Sequence, residues 1–358
     1  MRQVIKVAIA TAAAATLSLA GCASTPAASP APSTGGDATS AAPAPEETIK
    51  VGMAFDVGGR GDQSFNDSAA AGLDKAAAEF GVEGMDVAAV AGEAESARTE
   101  RLQQLIDAGY TNIVAVGFAY ASSVGEVAKA NPDVKFAIVD DASEASTGDN
   151  IMNIVFAEHE GSFLVGAAAA LKTKTNHVGF VGGGETDLIK KFEAGFRAGV
   201  EAVNPDIKID STYLTQPPDF SGFGDPAKGK TAADGMFQAG ADIVYHAAGG
   251  SGAGVFTAAK DAGGWAIGVD SDQALTAAED VRDIILTSML KRVDVGVYDF
   301  IKSIHEGTFT AGPKVFDLKA DGVGYSTTGG FVDDIKADLD GYREQIISGA
   351  IVVPETVS

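Results

Sequence analysis

From Thr48 onward, short apolar runs alternate with longer segments whose apolar residues recur every three or four positions. The short runs predict strands at 49–55, 86–90, 112–116, 134–140, 151–155, 177–181, 208–214, 243–246, 265–269 and 284–287. The longer segments predict helices at 68–80, 96–108, 121–130, 163–171, 188–203, 228–239 and 252–262. Strands that alternate with helices form parallel sheets covered by helices on both faces. These strands are too many for one comfortable open sheet, and the break near 153–160 divides them into two doubly wound lobes. Ligands bind such sheets outside the carboxyl ends of the strands, so two lobes can share one cleft.

The loops at those strand ends carry the candidate chemistry. After the first strand comes Asp56-Val57-Gly58-Gly59-Arg60-Gly61-Asp62-Gln63-Ser64-Phe65-Asn66. Its glycines permit a sharp turn and a close backbone approach to a ligand. Phe65 is a large apolar residue in an otherwise polar loop. It reads either as an aromatic platform or as a cap on the helix that follows. Two further strands end in carboxylates, at Asp140 and Asp270. A carboxylate in that position suits a vicinal diol; the other reading is a helix N-cap, which Asp also favours. The clusters Val181-Gly182-Gly183-Gly184 and Ala247-Ala248-Gly249-Gly250-Ser251-Gly252 fit neither a P-loop nor a dinucleotide fingerprint. They are expected to let backbone amides and helix N-termini face the cleft, Gly250 among them.

Catalytic and metal chemistry find little support. The four histidines, at 159, 177, 246 and 305, lack metal-ligand spacing. There is no Gly-x-Ser-x-Gly elbow, and no nucleophile, base and orienter assemble. A binding protein without cofactor or metal is therefore expected. The formal net charge of −23 argues against nucleic acid and anionic headgroups as partners.

The single cysteine, Cys22, ends Leu19-Ala20-Gly21-Cys22. Arg2 and Lys6 precede an uncharged stretch over 7–20, as in a secretory signal. The stretch is too short to span a bilayer as a stable helix. The tetrapeptide resembles a bacterial lipobox, in which a diacylglyceryl group goes onto the Cys22 thiol and residues 1–21 are removed. The alternative is an ordinary signal cut elsewhere. Loss of Arg2 and Lys6 would take the net charge to −25. Residues 23–47 are almost entirely Ala, Ser, Thr, Pro and Gly. Such a segment buries too little surface to fold and is expected to be a disordered spacer between lipid and domain. Several acyl chains would give stable attachment without a membrane span.

Asp56-Val57-Gly58-Gly59 followed by Asp62-Gln63-Ser64-Phe65-Asn66 is similar to the signature of the basic membrane protein family. These lipoproteins are the substrate-binding components of nucleoside ABC transporters, purine nucleoside receptors among them. The similarity continues through 135–140, 178–183, 223–230, 240–254, 268–273 and 287–292. It covers essentially the whole chain after the spacer, although this acidic chain departs from the literal family name. The resemblance implies an α/β type I periplasmic-binding-protein fold, two doubly wound parallel-sheet lobes joined by a hinge. The first lobe would hold 48–155 and 283–312, the second 156–282 and 313–358. Phe65 and Phe223 would sandwich a base from opposite lobes, with Phe220 a rival for the second place. Asp140 would accept hydrogen bonds from the base, with Asp56, Ser64 and Asn66 close by. Asp270 would hold ribose hydroxyls, and Lys291 would contact the sugar and neutralise the acids. The implied partners are a nucleoside, an ABC permease and a membrane reached through the lipid, with the receptor a monomer. A sugar or signal-molecule receptor is the competing binding reading. A nucleoside hydrolase would need more clustered aspartates than Asp140-Asp141, and an adhesin would rest on Arg60-Gly61-Asp62 alone.

Overall fold

The computed structural model describes residues 48–357; Cys22, the preceding signal and the 23–47 spacer lie outside the described residues. The chain begins β1 (Lys50–Phe55), α1 (Phe65–Phe80), β2 (Glu83–Ala88), α2 (Glu95–Asp107), β3 (Asn112–Val116), α3 (Ala121–Ala130), β4 (Lys135–Val139) and β5 (Ile151–Phe156). It continues α4 (Glu158–Lys172), β6 (His177–Gly182), α5 (Asp187–Val203), β7 (Lys208–Tyr213), α6 (Pro226–Gln238), β8 (Ile243–Ala247), α7 (Gly252–Ala262), β9 (Trp265–Asp270) and the short α8 (Gln273–Thr276). The last elements are β10 (Ile285–Lys291), α9 (Val293–His305), β11 (Gly312–Phe316), β12 (Val323–Tyr325) and α10 (Lys336–Ile347).

Two six-stranded sheets form, in the orders β11-β5-β4-β3-β1-β2 and β12-β10-β9-β8-β6-β7. Every pairing is parallel except β10 with β12. The strand order reverses at β1 in the first sheet and at β6 in the second, which makes each edge beside them a switch point where ligands bind. Central strands such as β3 are buried throughout, while the edge strand β2 is largely exposed. This difference follows from helices covering both faces of a parallel sheet. Local signals start the helices of the second lobe. Thr186 Oγ1 accepts from the Ile189 amide at 3.2 Å, and Asp225 accepts from the Lys228 amide at 3.0 Å ahead of Pro226. No helix among the described residues is long and apolar enough to cross a membrane.

The chain crosses between the sheets later than expected. The family resemblance implies a first-lobe place for residues 283–291, yet β10 continues the second sheet, with Met289 opposite Val269 and Leu290 opposite Asp270. Its run Ile285–Met289 is buried and leaves that sheet only at Arg292. Then α9 packs on α1, where Gly72 admits it: a Cβ there would stand 2.5 Å from the Asp294 carbonyl oxygen. β11 pairs with β5, so the return to the second lobe follows Phe316 rather than residue 312. Sequence reading missed β11 and β12. The first is a mostly exposed edge strand containing Pro313, and the second has three residues, too short for periodicity to register.

Candidate functional site

The carboxyl ends of β1, β3 and β4 face those of β8, β9 and β10 around one cavity. It is lined by Asp56, Phe65, Asn66, Asp140, Phe223, Gly250, Asp270 and Lys291, with Phe118 and Phe192 among the rest. The empty space measures about 580 Å³, part of it open to solvent.

The β1 loop is knitted by its own carboxylates. Asp62 accepts from the amides of Ser64, Asn66 and Asp67 at 2.8–3.1 Å, capping the first turn of α1. Asn66 Oδ1 accepts from the Asp56 amide at 3.0 Å, and its Nδ2 donates to Val57 O and Asp62. This leaves Asp56 with Oδ1 bound to the Val57 amide. Burial pushes its carboxyl up to about 6, against the backbone bond and nearby Arg98. Gly117, at φ +109°, makes room for this carboxylate: a Cβ would lie 2.6 Å from Asp56 Oδ2. Arg60 is engaged by Asp74 and Asp86, so neither end of Arg60-Gly61-Asp62 is free for adhesion.

Lys291, at the end of β10, is the hub. Its Nζ lies 2.7 Å from Asp140 Oδ2 and 3.5 Å from Asp270 Oδ1, and its side chain is 3% exposed. It also stands over the rings of Phe65, Phe192 and Phe156 at 4.7, 5.4 and 5.5 Å. Such cation–π contacts strengthen when water is excluded. Burial pulls its ammonium down, but Asp140, Asp270 and Glu158 together outweigh burial and hold it above the ordinary lysine range. One ammonium cannot neutralise three carboxylates. Glu158, buried and repelled by Asp140, is pushed up to about 8 despite Lys291.

Asp140 and Asp270 do not cap helices. Both take left-handed backbone, φ +66° and +63°, which Asp tolerates better than most residues. The Oδ1 atoms of both lack a hydrogen-bond partner among the described residues. The local turn after β4 is made instead by Asp141, which binds Ser143 and Ser146. The N-cap alternative therefore falls for both, and two carboxylates with spare acceptor capacity are brought together.

The walls are aromatic and aliphatic. Phe65 enters from the first lobe at the start of α1, and Phe223 from a single helical turn, Ser221–Phe223, in the second. Phe220 does not line the cavity; it lies on the far side of the same loop. Ser64 does not line it either. Its buried hydroxyl donates to Asp270 Oδ2 at 2.9 Å and Val269 O at 3.2 Å, tying the lobes together behind the site. Ser271 Oγ, Gln273 Nε2 and Thr276 Oγ1 add three donations to the Ser64 and Gln63 carbonyls. Gly249 and Gly250 border the cavity, but Gly183 and Gly184 do not. They seat the Phe223 ring, since a Cβ on Gly183 would be 2.4 Å from it. Sequence reading missed Leu188, Ile189 and Phe192 of α5, which line the second lobe. Their only signal is apolar spacing, and that marks core as readily as wall. Phe118 was also missed, at the end of a strand with no carboxylate to mark it.

Two doubly wound lobes closed on a cavity at their facing strand ends define a two-lobed solute-binding protein. Residues 49–357 match the family described as ABC transporter substrate-binding protein PnrA-like, and the chain belongs to that family. Its members are binding components of transporters, not enzymes. The chain is 39% identical over 323 residues to the CD4+ T-cell-stimulating antigen of Listeria monocytogenes, covering 85% of this chain and 88% of that protein. It is 35% identical over 321 residues to the ABC transporter nucleoside-binding protein BmpA of Lactococcus lactis subsp. cremoris, covering 86% and 89%. Among solved structures it resembles an ABC transporter solute-binding protein of Aeropyrum pernix K1. The TM-score is 0.74 at 30% identity, covering 86% of this chain and 94% of that one.

Proposed function

We propose that this protein captures a nucleoside, of the purine class, between its lobes and delivers it to an ABC permease. We further propose that it works as a monomer, held at the extracytoplasmic face of the membrane by a lipid on Cys22. The observation that carries the reading is one juxtaposition. Phe65 and Phe223 line a cavity beside Asp140 and Asp270; Asp140 Oδ1 has no hydrogen-bond donor among the described residues, and Asp270 Oδ1 has only the Lys291 ammonium, 3.5 Å away. A flat heterocycle between two aromatic rings gains roughly 1–3 kcal/mol per stacking partner. Unpaired buried acceptors favour a ligand with several donors, such as ring N–H groups and ribose hydroxyls, and reject analogues that lack them. The Lactococcus lactis relative, named as nucleoside-binding, supports the same ligand class.

The test is a thermal-shift screen of nucleosides, free bases, sugars and nucleotides on the full chain. Adenosine, guanosine or inosine should raise the melting temperature. A shift with free sugars and none with nucleosides would replace this reading with that of a sugar receptor. Free base appearing on incubation with inosine would replace it with a hydrolase.

A further inference from the structure

The loop between β7 and α6 is fastened at both ends to its own lobe and reaches toward the other lobe in between. At its start, Thr215 Oγ1 donates to Gly183 O at 3.0 Å. At its end, Ser251 Oγ donates to Gly222 O at 2.6 Å and accepts from the Asp225 amide at 2.7 Å. Gly222 sits so close to the strand end that a Cβ would be 2.0 Å from the Gly183 carbonyl oxygen. Between these fixed points residues 216–219 are exposed. Phe220 then turns to the first lobe, where its ring meets Phe118 edge-on, with centroids 5.3 Å apart and planes at 84°. Phe223 meets the same ring at 6.5 Å while facing the cavity. Outboard of this contact, Pro218 and Asp219 are separated from Gly92, Glu95 and Arg98 of the first lobe by a second cavity. The strap thus meets the first lobe at the Phe118 ring, and Gly224 further along it lies close to Val57.

We infer that Phe118 and Phe220 form an interlobe latch that retains the bound ligand, with Phe220 fastening the strap that presents Phe223 to the cavity. The inference rests on the ligand-binding reading above. An edge-to-face pair made across two lobes exists only while they are closed. It therefore stabilises the closed form relative to the open one and acts on escape, not on entry. Phe220 is a positioning residue, since it does not border the cavity.

Stopped-flow binding of inosine to the full chain tests this. Phe220→Ala should raise the dissociation rate about two- to tenfold, the worth of one aromatic pair, with the association rate unchanged. Phe220→Tyr should behave as wild type. Phe118→Ala combined with Phe220→Ala should release ligand no faster than Phe118→Ala alone, because the two changes remove the same contact. An unchanged dissociation rate in Phe220→Ala, or additive effects in the double variant, overturns the latch. A second arm does not depend on the ligand being a nucleoside. Phe118→Ala, a change in the first lobe, should speed amide exchange at 219–223 in the second lobe of the chain saturated with whichever solute of the thermal-shift screen stabilises it most. Unaltered exchange there overturns the latch as well. If inosine fails to bind wild type, the nucleoside reading falls, and the exchange arm still decides the latch.

Discussion

Asp140 and Asp270 occupy the same place in the two lobes. Each follows or ends the third strand in its sheet order, each has left-handed backbone, and both turn to Lys291. Left-handed non-glycine residues cost energy and persist where the surroundings over-determine them, commonly at functional sites. Here the Asp140 amide is held by the Ile154 carbonyl at 2.8 Å, and the Lys291 ammonium holds both carboxylates.

Lys291→Met should destabilise the protein by about 3–5 kcal/mol near pH 8, because it leaves buried carboxylates uncompensated. The loss should shrink toward pH 5, where the orphaned acids take up protons. Denaturant melts at both values check this. Equal losses at the two pH values would argue that Lys291 matters through packing alone.

Phe65→Ala and Phe223→Ala should each weaken nucleoside binding by about 1–3 kcal/mol, with little change in the melting temperature of the ligand-free protein. Calorimetric titration beside apo melts separates the effects. A large apo destabilisation in Phe65→Ala would mark that ring as core. Unchanged affinity in Phe223→Ala would remove it from the stacking pair.

Nucleosides should bind and their 5′-monophosphates should not. Asp56, Asp62, Asp140 and Asp270 line the cavity, with Lys291 its single cationic side chain among the described residues, and that is already paired. A phosphate adds roughly −1.5 to −2 charge, repelled more strongly in a closed cleft than in water. A ligand at 100 times its Kd stabilises the fold by about 2.7 kcal/mol. Side-by-side melts with inosine and its monophosphate at that excess should therefore differ plainly. Equal shifts would refute the charge argument.

Glu158 should give stability a pH dependence of defined sign. It follows the first crossing between lobes, is 1% exposed, and faces Asp140, Lys291 and Lys191. Folded, it keeps its proton up to about 8; an exposed glutamate loses it near 4.5. Across that window the folded state binds more protons than the unfolded one. This contribution is therefore full below 4.5 and is lost as pH rises through about 8. Wild type should fall in stability relative to Glu158→Gln between pH 5 and 9. Paired unfolding curves at pH 5, 7 and 9 measure the difference, and parallel pH profiles would count against a protonated Glu158.

Cys22→Ser should release the protein from membranes, or block its processing, and leave nucleoside binding intact. Membrane fractionation and gel mobility report it. A variant that still sediments with membranes at wild-type size would rule out the lipid anchor.

Local periodicity and local chemistry are legible along the chain. The alternation of apolar runs and helical spacing marked most of the strands and helices of two parallel α/β lobes. Carboxylates at strand ends, and Phe65 in a polar loop, pointed to one edge of each sheet. Tertiary structure alone decided which of these groups meet. Asp140 and Lys291 are 151 positions apart, and their contact depends on β10 holding its register against β9 instead of leaving for the first lobe. Which of Phe220 and Phe223 borders the cavity turned on Gly183 leaving space for the Phe223 ring. That Asp140 and Asp270 cap no helix turned on the left-handed backbone each adopts at its strand end. Pairings of that kind arise from distant segments packing in three dimensions, and no local window of residues contains them.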